Sequence, residues 1–315
     1  MAPAQRVGGD NEVSIAVMGA TGSGKSSFIN LASGSRLQVS NNLGSCTQEV
    51  LVAPDFSLDG RNVKLIDTPG FDDTDRSDAE IVQIIAAFLE TYYRSGKLLH
   101  GVLYFHRISD IRMAGALKKS FDIFTKLCGD DALKNVVIVT NMWSKVTPDE
   151  GHARQKELET NSKFFKSALD LGARITRHDN TRASALNILR MLLANRPVPL
   201  GIQRELVDLR KHFLETEAAQ EVTRGIQALI HSHMEEANTL RTEIEEATVT
   251  NDLKTVQELK DEQRKADALL KKFQTLSRNL ASDYRRRQLE ASMKFNKAFQ
   301  VEDDYDSSCC GCIVV

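Results

Sequence analysis

The chain has 315 residues, with 41 Lys and Arg against 43 Asp and Glu and a formal net charge of −2. Hydrophobic residues make up 41% and charged residues 27%, a composition that excludes wholesale disorder. The near-zero charge argues against nucleic acid as a partner, and five cysteines are too few, and odd in number, for a disulfide scaffold.

Residues 1–11 are expected to be a flexible N-terminus. They lack the apolar core of a secretory signal, and with Ala2 in place of glycine no N-myristoylation is expected. No apolar run approaches the ~18 residues a bilayer span requires, so the chain is expected in the reducing cytosol. From 12 to 195, short β-branched runs alternate with helical patterns. The strands are expected at Val13–Met18, Glu49–Ala53, Asn62–Asp67, Gly101–Phe105, Asn135–Thr140 and Ala173–Arg177. The helices are expected at 25–33, 78–95, 113–127, 150–170 and 181–194. This alternation predicts an α/β domain on a mainly parallel six-stranded sheet.

Residues 196–201 hold Pro197 and Pro199 and read as a linker. Beyond it, 202–300 contains no proline and is rich in Leu, Glu, Lys, Gln and Arg. One heptad seam runs Ile226, Ile230, His233, Ala237, Leu240, Ile244, Ala247, and a second runs Ala266, Leu270, Phe273, Ser277, Leu280, Tyr284. Poor helix formers from Thr248 to Asp252 separate them, which predicts a helical hairpin or coiled coil. Whether it stands free or packs on the α/β domain stays open at this level.

The first expected strand runs into Gly19-Ala20-Thr21-Gly22-Ser23-Gly24-Lys25-Ser26, followed by Ser27. This is G-x-x-x-x-G-K-[ST], the Walker A pattern of a P-loop NTPase, in its strand–loop–helix context. Glycines let such a loop curl so that backbone N–H groups point at phosphate oxygens, and the following helix adds the positive end of its dipole. Lys25 would reach the β- and γ-phosphates, and the Ser26 hydroxyl would bind Mg²⁺. Downstream, Leu65-Ile66-Asp67-Thr68-Pro69-Gly70 is an apolar strand ending in an acid and a tight turn. Asp67 would be the second Mg²⁺-holding residue, and the Gly70 N–H would sense a γ-phosphate.

With GATGSGKSSFIN, the Cys46-Thr47 segment and DTPGFDDT, the chain resembles the septin, Toc and immunity-associated (GIMAP-type) branch of P-loop GTPases. GVLYFHRISDIRM and NVVIVTNMWSKV are similar to a fungal group of single-domain G proteins in that branch. The resemblance covers about 12–195 and implies a G domain that binds GTP and GDP with Mg²⁺. It makes Thr47 the switch threonine that closes on Mg²⁺ and the γ-phosphate.

Guanine selection in such proteins rests on [NT]-K-x-D. Here the stretch is Asn141-Met142-Trp143-Ser144, so Ser144 replaces the aspartate and a bidentate carboxylate contact is lost. Met142 and Trp143 are expected to pack on the purine. Asp179 or Asn180 would restore a base contact or would cap the following helix; both readings stand. Phe71 occupies the place of the water-orienting glutamine, which predicts slow hydrolysis. His106 and Arg107, past the fourth strand, are candidates to assist in trans or to be structural.

The chain ends Cys309-Cys310-Gly311-Cys312-Ile313-Val314-Val315. Its last four residues fit C-a-a-X, which predicts prenylation of Cys312, with Cys309 and Cys310 as palmitoylation sites. From Lys271 to Lys297 eight basic residues face only Asp283 and Glu290, ahead of an acidic tail at 301–315. Such a helix is drawn to an anionic leaflet or is simply solvated.

The expectation is a GTP-binding switch that hydrolyses GTP slowly and is attached to a cytosolic membrane face. Its partners would be GTP, an effector protein and a second copy meeting it through the nucleotide face or helical arm. The alternatives are a nucleotide-dependent assembly or scaffold protein with little turnover, and a P-loop ATPase.

Overall fold

The computed structural model describes residues 11–38, 49–73, 76–110 and 115–306. Strand β1 (Glu12–Gly19) lies at the centre of a sheet. On one side it pairs in parallel with β4 (Arg61–Asp67); on the other come β5 (Gly101–Arg107), β6 (Val136–Asn141) and β7 (Arg174–Arg177), also parallel. Strand β2 (Leu51–Val52) and strand β3 (Phe56–Leu58) run antiparallel on β4. Every strand expected from the sequence is present, and β3 makes a seventh. It is formed by the turn at Asp59 and Gly60, with φ of 50° and 78°, which folds three residues back onto β4.

Alternation along the strands sends side chains to two faces. Val13, Ile15, Val17, Leu103, Phe105, Val137 and Val139 pack under α1 (Lys25–Ser33) and α6 (Arg182–Leu193). Ala16, Met18, Val102, Tyr104, Val136 and Ile138 meet the opposite layer, α2 (Asp78–Arg94) and α3 (Gly115–Cys128). With both faces covered, the central strands are buried on both sides and mostly apolar, as parallel sheets require. Helix α2 starts at a reciprocal cap, in which Ser77 and Glu80 satisfy each other's backbone N–H. The helix expected over 150–170 is two helices, α4 (Pro148–Thr160) and α5 (Lys166–Asp170), broken at Asn161 so that Phe165 enters the core.

The segment after Pro197 continues on the α2–α3 layer. Val198 bridges to Leu99, and Leu200, the N-cap of the short α7 (Gly201–Gln203), and Ile202 within it are buried in the same core as α2. Helices α8 (Glu217–Val249) and α9 (Leu253–Asp306) form an antiparallel hairpin around the turn at 250–252. Near its base, Val222, Ile226, Leu280 and Tyr284 join the main core; near its tip, Ala237, Leu240 and Ala266 make a small separate cluster. The polar seam residue His233 stacks on Phe273 with centroids 5.6 Å apart.

Polar side chains lock α9 to α2. The buried Gln83, which interrupts the apolar pattern of α2, donates from Nε2 to the Leu280 carbonyl at 2.8 Å. Buried Glu90 accepts from the Tyr284 hydroxyl at 2.6 Å and from Gln288 at 2.8 Å.

Candidate nucleotide site

The carboxyl ends of β1, β4, β5 and β6 converge where an open parallel sheet binds ligands. Gly19 ends β1 with φ 138°, and a Cβ there would lie 2.4 Å from the Phe105 carbonyl oxygen of the neighbouring strand. Gly24, at φ 99°, caps α1, and a Cβ there would meet Asn141 Nδ2 at 2.4 Å. Glycine is therefore required at both by close approach as well as by backbone conformation. Between them Ser23 turns the loop, donating from Oγ to the Ala20 carbonyl at 2.7 Å. The N–H groups of Gly22, Gly24 and Lys25 take no hydrogen-bond partner among the described residues, leaving donors at the start of α1 for an anion.

Lys25 lies inside this curl, 6% exposed, with its ammonium on the carbonyls of Ala20 at 2.9 Å and Gly19 at 3.1 Å. Burial pulls its pKa down to about 8, against the opposing pull of Asp67 and Asp73. A buried cation among backbone dipoles gains most when an anion arrives. The Ser26 hydroxyl donates to Asp67 Oδ2 at 2.6 Å, and Asp67 is fully buried. The two predicted Mg²⁺ ligands, 41 residues apart, are thus brought together as an oxygen pair of the kind Mg²⁺ selects. Ser27 follows in the first turn of α1. Thr47, the third expected ligand, lies outside the described residues.

The DTPG turn docks onto the loop itself. Thr68 donates to the Val17 carbonyl at 2.9 Å, Phe71 N–H to Gly19 at 3.2 Å, and Thr21 N–H to Phe71 at 2.8 Å. The Thr21 amide is therefore taken up by the chain, so a phosphate-facing role for that N–H does not hold. A Cβ on Gly70 would fall 2.5 Å from Thr21 Oγ1 and 2.6 Å from the Thr21 amide nitrogen, which explains why glycine stands there. Phe71 is fully buried in the core, so its ring plugs the sheet and does not face a water.

Two residues that sequence reasoning left without a defined place sit against the loop. The Arg107 guanidinium donates to the Thr21 carbonyl at 3.2 Å, passes over Gly22, and is oriented by Asp110 at 3.0 Å. Asp73 accepts from Thr21 Oγ1 at 3.3 Å. His106, by contrast, is buried edge-on to Phe165, and burial pushes its pKa down to about 4, so it is a neutral core side chain.

At the base end the outcome differs from expectation. Asn141 is buried and braces the loop, donating to the Ser23 carbonyl at 3.1 Å while its oxygen accepts from Met142 N–H. Trp143 is 6% exposed, donates to Thr140 at 3.1 Å and packs on Gly151. Arg177 covers its ring, 4.4 Å from the centroid, so the indole is a prop beneath Arg177 and not an open ledge for a purine. No sequence signal separates these two uses of a tryptophan. Asp179 accepts from both the N–H and the hydroxyl of Thr181, which holds its carboxyl below the usual range and commits it to the α6 cap. Asn180, at φ 62°, and Ser144 remain exposed beside the cleft. Cys309, Cys310 and Cys312 lie outside the described residues, and no described helix is long and apolar enough to cross a membrane.

Residues 14–142 match the model of the 50S ribosome-binding GTPase family. GTP-binding protein A of Dictyostelium discoideum is 32% identical over 142 residues, which are 45% of this chain and 30% of that protein, so the chain spans less than a third of the relative's length. Among solved structures, Toc33 from Arabidopsis thaliana in complex with Mg²⁺ and GMPPNP is 18% identical with a TM-score of 0.47, covering 58% of this chain and 83% of that one. Era from Aquifex aeolicus bound to GDP and AlF₄⁻ is 18% identical with a TM-score of 0.43, covering 60% of this chain and 58% of its own. The sheet order, the glycine loop and the matched segment together give residues 12–193 the fold of a P-loop NTPase of the G-domain type.

Proposed function

We propose that the protein is a GTP-binding switch with slow, Mg²⁺-dependent hydrolysis, anchored to a cytosolic membrane face by its C-terminus. The observation that carries the nucleotide part is the buried Lys25 ammonium inside a glycine curl whose mouth holds the Ser26–Asp67 pair. The family match over 14–142 and the Dictyostelium relative support guanine as the base.

When bound, Mg²⁺ would neutralise charge on the β- and γ-phosphates, held by Ser26, Asp67 and, by resemblance, Thr47. Lys25 would exchange two backbone carbonyls for phosphate oxygens, while the Gly22, Gly24 and Lys25 amides orient the chain of phosphates. Gly70 places the turn leading to α2 against the loop, so a γ-phosphate is read by the segment that precedes α2. Slow turnover follows from Phe71, whose buried ring supplies no hydrogen bond to an attacking water. The reported nucleotide state would pass from α2 to α9 through Gln83 and Glu90. The anchor rests on Cys312 in its C-a-a-X setting, with Cys309 and Cys310 as second acylation sites.

Single-turnover hydrolysis tests the reading. We expect Mg²⁺-dependent GTP cleavage on the order of 10⁻⁴ s⁻¹, the intrinsic scale of G domains without a partner arginine. Rates on the order of 10 s⁻¹ from the isolated protein, or cleavage of ATP in preference to GTP, would overturn it. A rate that rises with protein concentration would assign the missing catalytic group to a second copy.

A further inference from the structure

The C-terminal half of α9 has two opposite faces. Leu280, Tyr284 and Phe295 point into the core, and the bonds from Gln83 to Leu280 and from Tyr284 to Glu90 fix the rotation of the helix on α2. Half a turn away, at spacings of seven and four residues, lie Lys271, Arg278, Arg285, Leu289 and Met293, which share one stripe of a 3.6-residue helix. All five are exposed, Leu289 at 62% and Met293 at 71%. The stripe extends about 33 Å at the ordinary helical rise.

No acid lies on this stripe. Between 271 and 296 the acids are Asp283 and Glu290, and both flank Arg286, at 3.1 Å and 4.0 Å. Lys294 is paired with Glu49, and Arg287 with Glu80. Lys271, Lys272, Arg278 and Arg285 take no ion pair among the described residues. A run of unpaired cations beside two exposed apolar side chains one turn apart fits a surface that is anionic outside and oily just beneath. It fits nucleic acid less well, because the aromatic rings of this helix segment, Phe273, Tyr284 and Phe295, lie on the inward side and offer no stacking platform to a base.

We propose that this stripe is a peripheral contact surface for an anionic lipid bilayer. Lys271, Arg278 and Arg285 meet lipid phosphates, and Leu289 and Met293 enter the boundary between headgroups and acyl chains. The contact deepens the membrane part of the functional reading and does not depend on lipidation of the tail. Because α9 is fixed on α2, it also sets the orientation of the nucleotide domain on the membrane.

The test is co-sedimentation of the full chain, produced without lipidation, with vesicles of phosphatidylcholine alone or mixed with phosphatidylserine. We expect binding to the mixed vesicles only, weakening as salt is raised. The double variant Arg278→Glu/Arg285→Glu should lower it on the order of 100-fold. Leu289→Ser/Met293→Ser, which leaves the charge untouched, should lower it about tenfold. All four positions are exposed, so unchanged thermal unfolding confirms that the variants fold. Equal binding to both vesicle types, binding indifferent to both double variants, or displacement by a tighter-binding RNA homopolymer would overturn the proposal. Failure of the lipid anchor is a separate result, read by mass spectrometry of the chain from lipidating cells as the absence of a prenyl group on Cys312.

Discussion

The phosphate end and the base end of the cleft are built from different kinds of atom. At the phosphate end the loop is held mostly through its backbone: Thr21 on Phe71 and Phe71 on Gly19 by main-chain bonds, the Asn141 side-chain amide on the Ser23 carbonyl, with glycines where a Cβ would collide. At the base end the work falls to side chains, and several are committed elsewhere: Trp143 to Thr140 and Arg177, Asp179 to Thr181. Recognition through backbone geometry is demanding about residue type and so leaves a motif; recognition through side chains depends on which neighbour claims each group.

The largest expected break in this contrast is Gly70→Ala. Its new methyl would press on the Thr21 backbone and side chain, a clash that a flexible end cannot relieve. We expect a loss of ~1–3 kcal/mol in stability, measured by denaturant unfolding, together with weakened nucleotide binding. No single methyl at the exposed Ser144 should do the same.

The effect of pH comes next. Lys25 in the free protein loses its proton near pH 8, below its ordinary value, because burial penalises the charge. Bound phosphate favours the protonated form and raises that pKa. Affinity should therefore be flat below about pH 8 and fall about tenfold per pH unit above it, as followed with a fluorescent nucleotide. Flat affinity through pH 9.5 would remove Lys25 from the phosphate contact.

The smallest effect is expected at the base end, where Ser144→Asp should sharpen the preference for GTP over ATP by about tenfold in competition titrations. An unchanged ratio would place base reading elsewhere, with the exposed Asn180 and Arg177 as the nearest groups.

The same contrast explains what could be read from the sequence. β1 and the glycine loop, β4 with DTPG, and the α1, α2 and α6 boundaries were legible because alternation, glycine spacing and caps are local signals. The strand Phe56–Leu58 was not, since three residues are too few to show a period and its existence depends on the Asp59–Gly60 turn. Nor was the break at Asn161, which is set by the demand of the core for Phe165. Gln83 and Glu90 are polar residues on the buried face of α2; their reason is α9, nearly 200 residues downstream, which no local pattern reveals. Trp143 offered an aromatic ring at the base-reading position, yet Gly151 leaves room for it to turn inward.

The most direct measurement is titration of the purified protein with a fluorescent GTP analogue in Mg²⁺, wild type against Lys25→Ala. Saturable binding that weakens on the order of 100-fold in the variant is the predicted result, because one partner of a buried charge contact has been removed. Equal binding by the two proteins would contradict a phosphate site at the glycine loop.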